Sequence, residues 1–214
     1  MYNPPAFAKD DPAALLEAVS AHPFATLVVN GAQGPVAAYA PLAAEVDGEG
    51  QIVGLVGHVA RANPFWQGAD QAPVLAIFAG PDGYVSPSFY PSKEEHGRVV
   101  PTWNYVRIEA RGTLTVERDP ARLRAFIDAP TALMEAQRAR PWSAADAPED
   151  YLESQLRGIV GVRLSVTEIH GKWKLSQNKS PADQEGVIRG VRADGLTTLA
   201  MTMLQSSHVQ NGDL

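Results

Sequence analysis

From Phe24 to Val85 the chain keeps repeating one unit, an apolar run of strand length closed by a turn signal, as in "PFATLVVNGAQGPVAAYAPLAAEVDGEGQIVGLVGHV" and "APVLAIFAGPDGYVS". Asn-Gly, Asp-Gly and Gly-Pro pairs stand between the runs, and such pairs supply the tight turns that return one strand beside the next. Connections this short leave no room for a crossover helix, so the strands must pair antiparallel. The first half of the chain therefore reads as an antiparallel meander.

A long strand closes this β-rich stretch. From Tyr105 to Val116 the run alternates, with Tyr105, Arg107, Glu109 and Arg111 on one face and Val106, Ile108 and Ala110 on the other. The preceding Pro-Thr-Trp-Asn cluster is read as a break in that alternation. Thr102, Trp103 and Asn104 place a hydroxyl, an indole N–H and an amide beside a flat apolar surface, which suits a planar polar ligand. Trp103 and Tyr105 are equally compatible with ordinary core aromatics whose polar tips are satisfied.

Helices flank the strands. Asp11 and Pro12 open one with Leu15, Leu16 and Val19 on a single face, and Asp119 and Pro120 open another that buries Leu123, Phe126 and Ile127. A third runs from about Pro148 to Arg157. "GIVGVRLSVTEIHGKWKLSQNK" then returns to strand, and Ser180-Pro181 starts a short helix with Asp183 near the capping-box position. Strands, then helices, then a late strand predict an α+β barrel with peripheral helices. Residues 1–195 read as one domain with a C-terminal helical appendage, and residues 196–214 as a tail without clear periodicity, frayed over "SSHVQNGDL".

Composition narrows the chemistry. The chain has no cysteine, which excludes disulfides, thiolate nucleophiles and Cys-based metal sites. Its five histidines show no metal-binding spacing. No GxGxxG, GxxxxGK[ST] or GxSxG is present, so the signatures of Rossmann cofactors, P-loops and elbow-type hydrolases are missing. A net charge of −6 opposes a broadly basic nucleic-acid surface. The N-terminus lacks a leader pattern and no apolar run approaches membrane-spanning length, so a cytoplasmic location with no membrane partner is expected.

Three stretches carry candidate ligand groups. "GHVARANPFW" brings His58, Arg61 and Asn63 together after an apolar strand, and a guanidinium with amide donors suits a phosphate, although Asn63-Pro64 would also serve a plain solvated turn. "HGKWKLSQNKS" alternates Lys172, Lys174 and Ser176 against Trp173, Leu175 and Gln177, with Asn178 and Lys179 following. That makes one cationic face, or a solvated strand end, the second reading applying to Lys172 in particular. The segment from Tyr84 to Tyr105, rich in Pro and aromatics, reads as a long loop that covers a ligand or a partner subunit, or else tucks onto the core.

Phosphate donors, hydroxyl partners and a flat surface together match the needs of flavin mononucleotide (FMN). The blocks "MYNPPAF", "GHVARANP", "YVSPSFYPSK", "VVPTWNY" and "GKWKLSQNK", followed by an Asp and a Gly-Val, resemble in order the PaiB-type family of FMN-binding negative transcriptional regulators. The resemblance implies an antiparallel split β-barrel of the pyridoxamine-phosphate-oxidase type, homodimeric, with FMN at the subunit interface. It implies Arg61 and Asn63 near the phosphate, Thr102, Trp103 and Asn104 lining the flavin, and Lys174, Gln177 and Asn178 approaching from the late strand. Against the family pattern, Ala6 stands in place of a His, Ala38-Tyr39 in place of a small hydroxyl residue and a His, and Phe89 in place of a Trp.

Three functions remain open at the level of sequence: a repressor that senses flavin or a small-molecule effector, an FMN-dependent oxidoreductase acting on a small molecule, and a cofactor-free dimeric binding module. "SPADQEGVIRGVRADGLTTLAMTMLQ" can be forced into a helix–turn–helix, but "LTTLAMTML" offers no Arg, Lys, Asn or Gln to base edges. Direct DNA binding is therefore doubtful, and any transcriptional effect is expected to run through a small molecule or a protein partner.

Overall fold

The computed structural model describes residues 1–211. In chain order it has strands β1 (Ala8–Lys9), β2 (Phe24–Gly31), β3 (Gly34–Val46), β4 (Ile52–Ala60), β5 (Pro73–Val85), β6 (Thr102–Glu117) and β7 (Ile159–Lys174). Its helices are α1 (Pro12–Ala21), α2 (Phe65–Ala69), α3 (Ser92–His96), α4 (Pro120–Glu135), α5 (Glu149–Arg157), α6 (Pro181–Ala193) and α7 (Thr197–Asn211). The chain divides into two compact units, one of residues Asp10–Ala79 and Ile108–His170, the other of Met1–Lys9, Gly80–Arg107 and the chain from Gly171 onward.

In the first unit the predicted meander is present. β2 pairs antiparallel with β3 from Phe24↔Pro41 to Gly31↔Gly34, β3 with β4, β2 with β5, and β4 with β7. The strand order β7-β4-β3-β2-β5-β6 is completed by a further pairing of β6 with β7, which closes the ring and leaves no open edge among these strands. Alternate residues point inward, and Leu27, Leu55, Phe78, Ile108, Leu114 and Leu164 form the dry interior. At the closing seam Thr115 Oγ1 donates to the Arg163 carbonyl at 3.3 Å and Thr167 Oγ1 to that of Arg111 at 3.2 Å. Gly112 permits this approach, since a Cβ there would lie 1.9 Å from the Ser165 carbonyl oxygen.

The helices of this unit begin where the sequence predicts. Asp11 caps α1 by accepting from Ala14 N–H at 2.9 Å, and Asp119 caps α4 by accepting from Ala121 N–H at 3.0 Å. α4 buries Leu123 fully, while Phe126 and Ile127, expected in the core, are only half-buried. The Phe126 ring lies against Gly161, where a Cβ would come within 2.8 Å of it, so α4 packs over the barrel's outer surface and covers these side chains from one side only.

The second unit contains the N-terminal segment, the ends of β5, β6 and β7, and α3, α6 and α7. β1 pairs with β7, Ala8 opposite Lys172. The segment from Tyr84 to Tyr105 is not a plain loop: Pro87–Phe89 form a 3-10 turn and Ser92–His96 form α3. α6 packs onto that turn through two glycines one helical turn apart. A Cβ on Gly190 would lie 2.3 Å from the Phe89 ring, and one on Gly186 would lie 2.1 Å from the Phe89 carbonyl oxygen. The Asp183 carboxylate, buried on α6, accepts from Ser92 N–H at 3.1 Å and Ser92 Oγ–H at 2.9 Å, which anchors α3.

Two readings of local structure change. The strand of Tyr105–Val116 begins three residues earlier, at Thr102, and the alternation continues through the cluster, with Asn104 buried on the same parity as Val106, Ile108 and Ala110. After Gly195, where a tail is expected, the chain forms α7 and buries Leu199, Ala200 and Met203. Apolar residues on both faces of this helix, Met201 being exposed, hide the helical period from the sequence. Of the stretch expected to fray, residues 212–214 lie outside the described ones.

Gly112→Ala should destabilise the protein by about 2–3 kcal/mol in urea unfolding, because the β6 and β7 backbones would have to separate. A loss below about 0.5 kcal/mol, the scale of an ordinary surface change, would show that the seam tolerates a side chain.

Candidate functional site

The second unit holds a pocket of ≈140 Å³ lined by Phe7, Tyr90, Val100, Thr102, Asn104, Lys174, Ser176, Asn178 and Lys179. The ends of β6 and β7 and the turn after β7 build it. β7 stops at Lys174, and Ser176 takes a left-handed φ of 66° that a strand cannot hold, so the chain turns back and presents Asn178 and Lys179.

Its inner wall is a closed polar set. Asn104, fully buried, donates to Ser176 Oγ at 2.9 Å, and the same hydroxyl lies 3.2 Å from Asn104 Oδ1. Asn104 Nδ2 also contacts Met203 Sδ at 3.6 Å. Lys174 Nζ donates to Thr102 Oγ1 at 2.6 Å and to the Trp103 carbonyl at 2.5 Å. The Tyr90 hydroxyl is buried and makes no hydrogen bond of good geometry; burial raises its pKa above that of an ordinary phenol, the Ser176 side chain opposes that rise, and the Asp183 charge adds to it. The Asn178 side chain stands exposed at the mouth.

Three ammonium groups gather here. Lys179 Nζ lies 5.4 Å from the centre of the Tyr90 ring. Lys172 is not a solvated strand residue: it is 8% exposed, donates to the Tyr2 carbonyl at 2.8 Å, and sits 5.3 and 5.5 Å from the rings of Tyr2 and Tyr105. Those rings and that carbonyl replace the water the sequence pattern assigns to it. Burial lowers the Lys174 pKa, and the charges of Lys172 and Lys179 lower it further. Asp183 is the nearby acid; burial opposes its ionisation, but the two Ser92 donors, Ser180 and the Lys179 charge hold its carboxyl below the usual value. No acidic side chain lines the pocket.

The other expected site residues divide. Trp103 stands outside the pocket, half-exposed, its indole donating to Asp82 Oδ1 at 3.1 Å and its ring edge-on to Tyr84 at 6.3 Å. Asp82 also pairs with Arg107, whose hydrogen bond is the main reason its carboxyl pKa is lowered. Gln177 folds back onto its own turn, accepting from Leu175 N–H at 2.7 Å and donating to the Trp173 carbonyl. Thr102, Asn104, Lys174 and Asn178 are thus brought together, while Trp103 and Gln177 shape the surroundings. Tyr90, Ser176 and Lys179 join the set; the sequence places Ser176 on the face of Lys172 and Lys174, and the left-handed turn after β7 brings its hydroxyl to Asn104.

Arg61 and Asn63 belong to the barrel unit. Arg61 Nε donates to the Arg157 carbonyl at 2.7 Å and Nη2 to that of Arg118 at 3.4 Å, while Asn63 Oδ1 accepts from Phe65 N–H at 3.0 Å and starts α2. Trp66 Nε1 donates to the Arg61 carbonyl at 2.9 Å. Among the described residues, Arg61 Nη1 and the Asn63 side-chain N–H groups make no hydrogen bond. His58, half-buried on β4, has an unpartnered Nδ1, and burial lowers its pKa. No group of three or more residues able to hold a metal ion occurs among the described residues.

Residues 1–168 match the family model described as "Putative FMN-binding domain". The chain is 32% identical over 190 residues to the protease synthase and sporulation protein PAI 2 of Bacillus subtilis, covering 88% of this chain and 87% of that one. It is 36% identical over 169 residues to a protein of Aspergillus fumigatus, covering 64% of this chain and 65% of that one. It spans about half, 51%, of a related protein of Emericella nidulans. Its fold is shared with the FAD and heme binding protein of Mycobacterium smegmatis at a TM-score of 0.57 and 16% identity, covering 83% of this chain and 78% of that one. The flavocytochrome Anf3 of Azotobacter vinelandii gives a TM-score of 0.52 at 18% identity, covering 78% and 69%.

Lysine titration offers a check on the pocket's electrostatics. Followed by NMR of its Cε–Hε signals, Lys174 should titrate below an ordinary lysine, and Lys179→Met should raise its midpoint by removing a like charge. A midpoint unmoved by that substitution would show that the ammonium groups do not share one field.

Proposed function

We propose, from the premise that this chain belongs to the PaiB-type family of FMN-binding split-barrel proteins, that its flavin is FMN and that it acts as a homodimer. The observation that supports this reading is the donor set at the ends of β6 and β7. The Lys174 ammonium, the Thr102 hydroxyl and the free Asn178 amide suit the polar edge of a flavin ring, with the Trp103 and Tyr84 rings exposed nearby. Asn104, having no exposed surface, acts by fixing Ser176, and Gln177 by holding the turn. On the barrel unit, taken by itself, Arg61 and Asn63 offer donors suited to a phosphate, the role the family resemblance implies for them. When bound, FMN supplies hydride and single-electron chemistry, and the protein supplies orientation and charge.

Size supports the homodimer. A pocket of ≈140 Å³ is below the roughly 300 Å³ at which small-molecule pockets begin, so a flavin needs more surface than this pocket offers. A second copy supplies it at no cost in sequence.

For the biological role we favour a regulator that acts indirectly, through the flavin or a small-molecule effector. The α6–α7 pair, the segment that can be arranged as a helix–turn–helix, puts Thr, Leu, Ala and Met along the first two turns of α7 with Gln205 following, and Arg189 on α6 is paired with Glu185 at 3.8 Å. That leaves little to read base edges or neutralise phosphates. The pocket also favours a second reading, an FMN-dependent oxidoreductase, because its cationic lining can stabilise a reduced, anionic flavin. Stopped-flow mixing with nicotinamide nucleotides separates the two: rapid bleaching of the flavin indicates the enzyme.

Protein purified or reconstituted with FMN should show flavin absorbance and bind FMN more tightly than riboflavin. Arg61→Ala should remove about 1.5–3 kcal/mol of that preference, the range for a hydrogen bond to a charged group. Equal affinity of the parent protein for both ligands would refute the phosphate assignment. In light scattering the FMN-loaded protein should run at twice the 22.9 kDa chain mass, and a stable FMN-bound monomer would refute the shared site.

A further inference from the structure

The pocket contains more binding chemistry than a flavin edge uses. Tyr90 is 2% exposed, yet its hydroxyl makes no hydrogen bond of good geometry, although the Ser176 side chain is close enough to influence it. An unpaired buried hydroxyl costs free energy in the folded chain, and a bound acceptor would recover it. Beside it are the Lys179 ammonium, which meets the Tyr90 ring and has no carboxylate within salt-bridge distance, and the Asn178 amide, which has no hydrogen bond among the described residues. Lys174 uses two of its three N–H donors on Thr102 and the Trp103 carbonyl, leaving one. Every unspent group here can donate, and no acid lines the space.

We propose that Tyr90 and Lys179, with Asn178 and Lys174 at the boundary, form a subsite for the oxyanion of a small ligand distinct from the cofactor, a carboxylate or a phosphate group carried by an effector or substrate. The ≈140 Å³ of space is small beside the roughly 300 Å³ at which drug-sized pockets begin, and suits a compact oxyanion such as a phosphate or a short carboxylate. Phe7 and Val100 give the entrance an apolar side that suits a short carbon chain behind the anionic head. A bound anion would also relieve the mutual repulsion that Lys172 and Lys179 exert on Lys174. The subsite stands on this chain's own residues; only the statement that its ligand is distinct from a flavin cofactor rests on the proposed function.

The test uses flavin-free and FMN-loaded full-length protein, with inorganic phosphate and acetate as probes, followed by calorimetry and by the Tyr90 ring signals in NMR. Saturable binding of either probe to the flavin-free protein at millimolar levels is expected, and which probe binds tighter identifies the head group. Tyr90→Phe and Lys179→Met, both of which keep the size of the side chain and are checked by melting temperature, should each weaken the probe about tenfold, a loss of one charged or buried hydrogen bond. Neither should change the ratio of FMN to riboflavin affinity. Absence of saturable binding up to about 10 mM, some hundredfold above a useful effector level, would overturn the subsite. So would a fall in the FMN-to-riboflavin ratio in both variants, because the pocket would then hold the cofactor's own phosphate. If FMN fails to bind while the probes still do, the flavin reading is lost and the subsite remains.

Discussion

The pairing of β6 with β7 is the constraint on which the rest depends. In the barrel unit it closes the ring, with Thr115 and Thr167 bonding across the seam and Gly112 letting the backbones meet. Both strands then run on for several residues, and in the second unit the same two strands bring Lys174 to Thr102 and Ser176 to Asn104. Each strand is 16 residues long, far beyond the five or six typical of globular proteins. The extra length is what the candidate site is built from. A register slip of one residue would turn Asn104 out of the interior and put a neighbour of opposite parity in its place.

Electrostatics then decides what such a site can hold. The chain as a whole carries a charge of −6, but its acids are spent elsewhere: Asp82 on Arg107, Asp183 on Ser92, Glu45 on Arg163 and Asp70 on Arg118. The lysines at the end of β7 and on its turn are left facing one another around an opening. Desolvation makes that arrangement unfavourable for the charged forms, and two aromatic rings and a carbonyl are needed to hold Lys172.

How much of this was legible along the chain differs between fold and site. The barrel was, because each of its strands either alternates or runs apolar between turn residues, and local propensity agrees with the tertiary result. The α4 and α6 starts were, because Asp119-Pro120 and Ser180-Pro181 act within one turn of themselves. α7 was not, since a helix with apolar residues on both faces shows no period. Lys172 was misjudged because its burial depends on Tyr2 and Tyr105, distant in sequence, and no pattern around a lysine announces which rings will cover it. Asn104 belongs to the same class: a polar residue on a core parity looks like an interruption until its partner, Ser176, arrives 72 positions later.

What the sequence determined by itself is therefore everything governed by neighbours: the antiparallel meander, the capped helices, the absence of thiol chemistry, and the identity of the motif blocks that place the chain in its family. What only the tertiary structure decided is which of those blocks act together. It set Thr102, Asn104, Lys174 and Asn178 around one opening, added Tyr90, Ser176 and Lys179 to them, and put Arg61 and Asn63 to work on the backbone of the barrel unit. The physical reason is that hydrogen bonds and ion fields act over a few ångströms in space, whereas strand pairing chooses which distant residues come within that range.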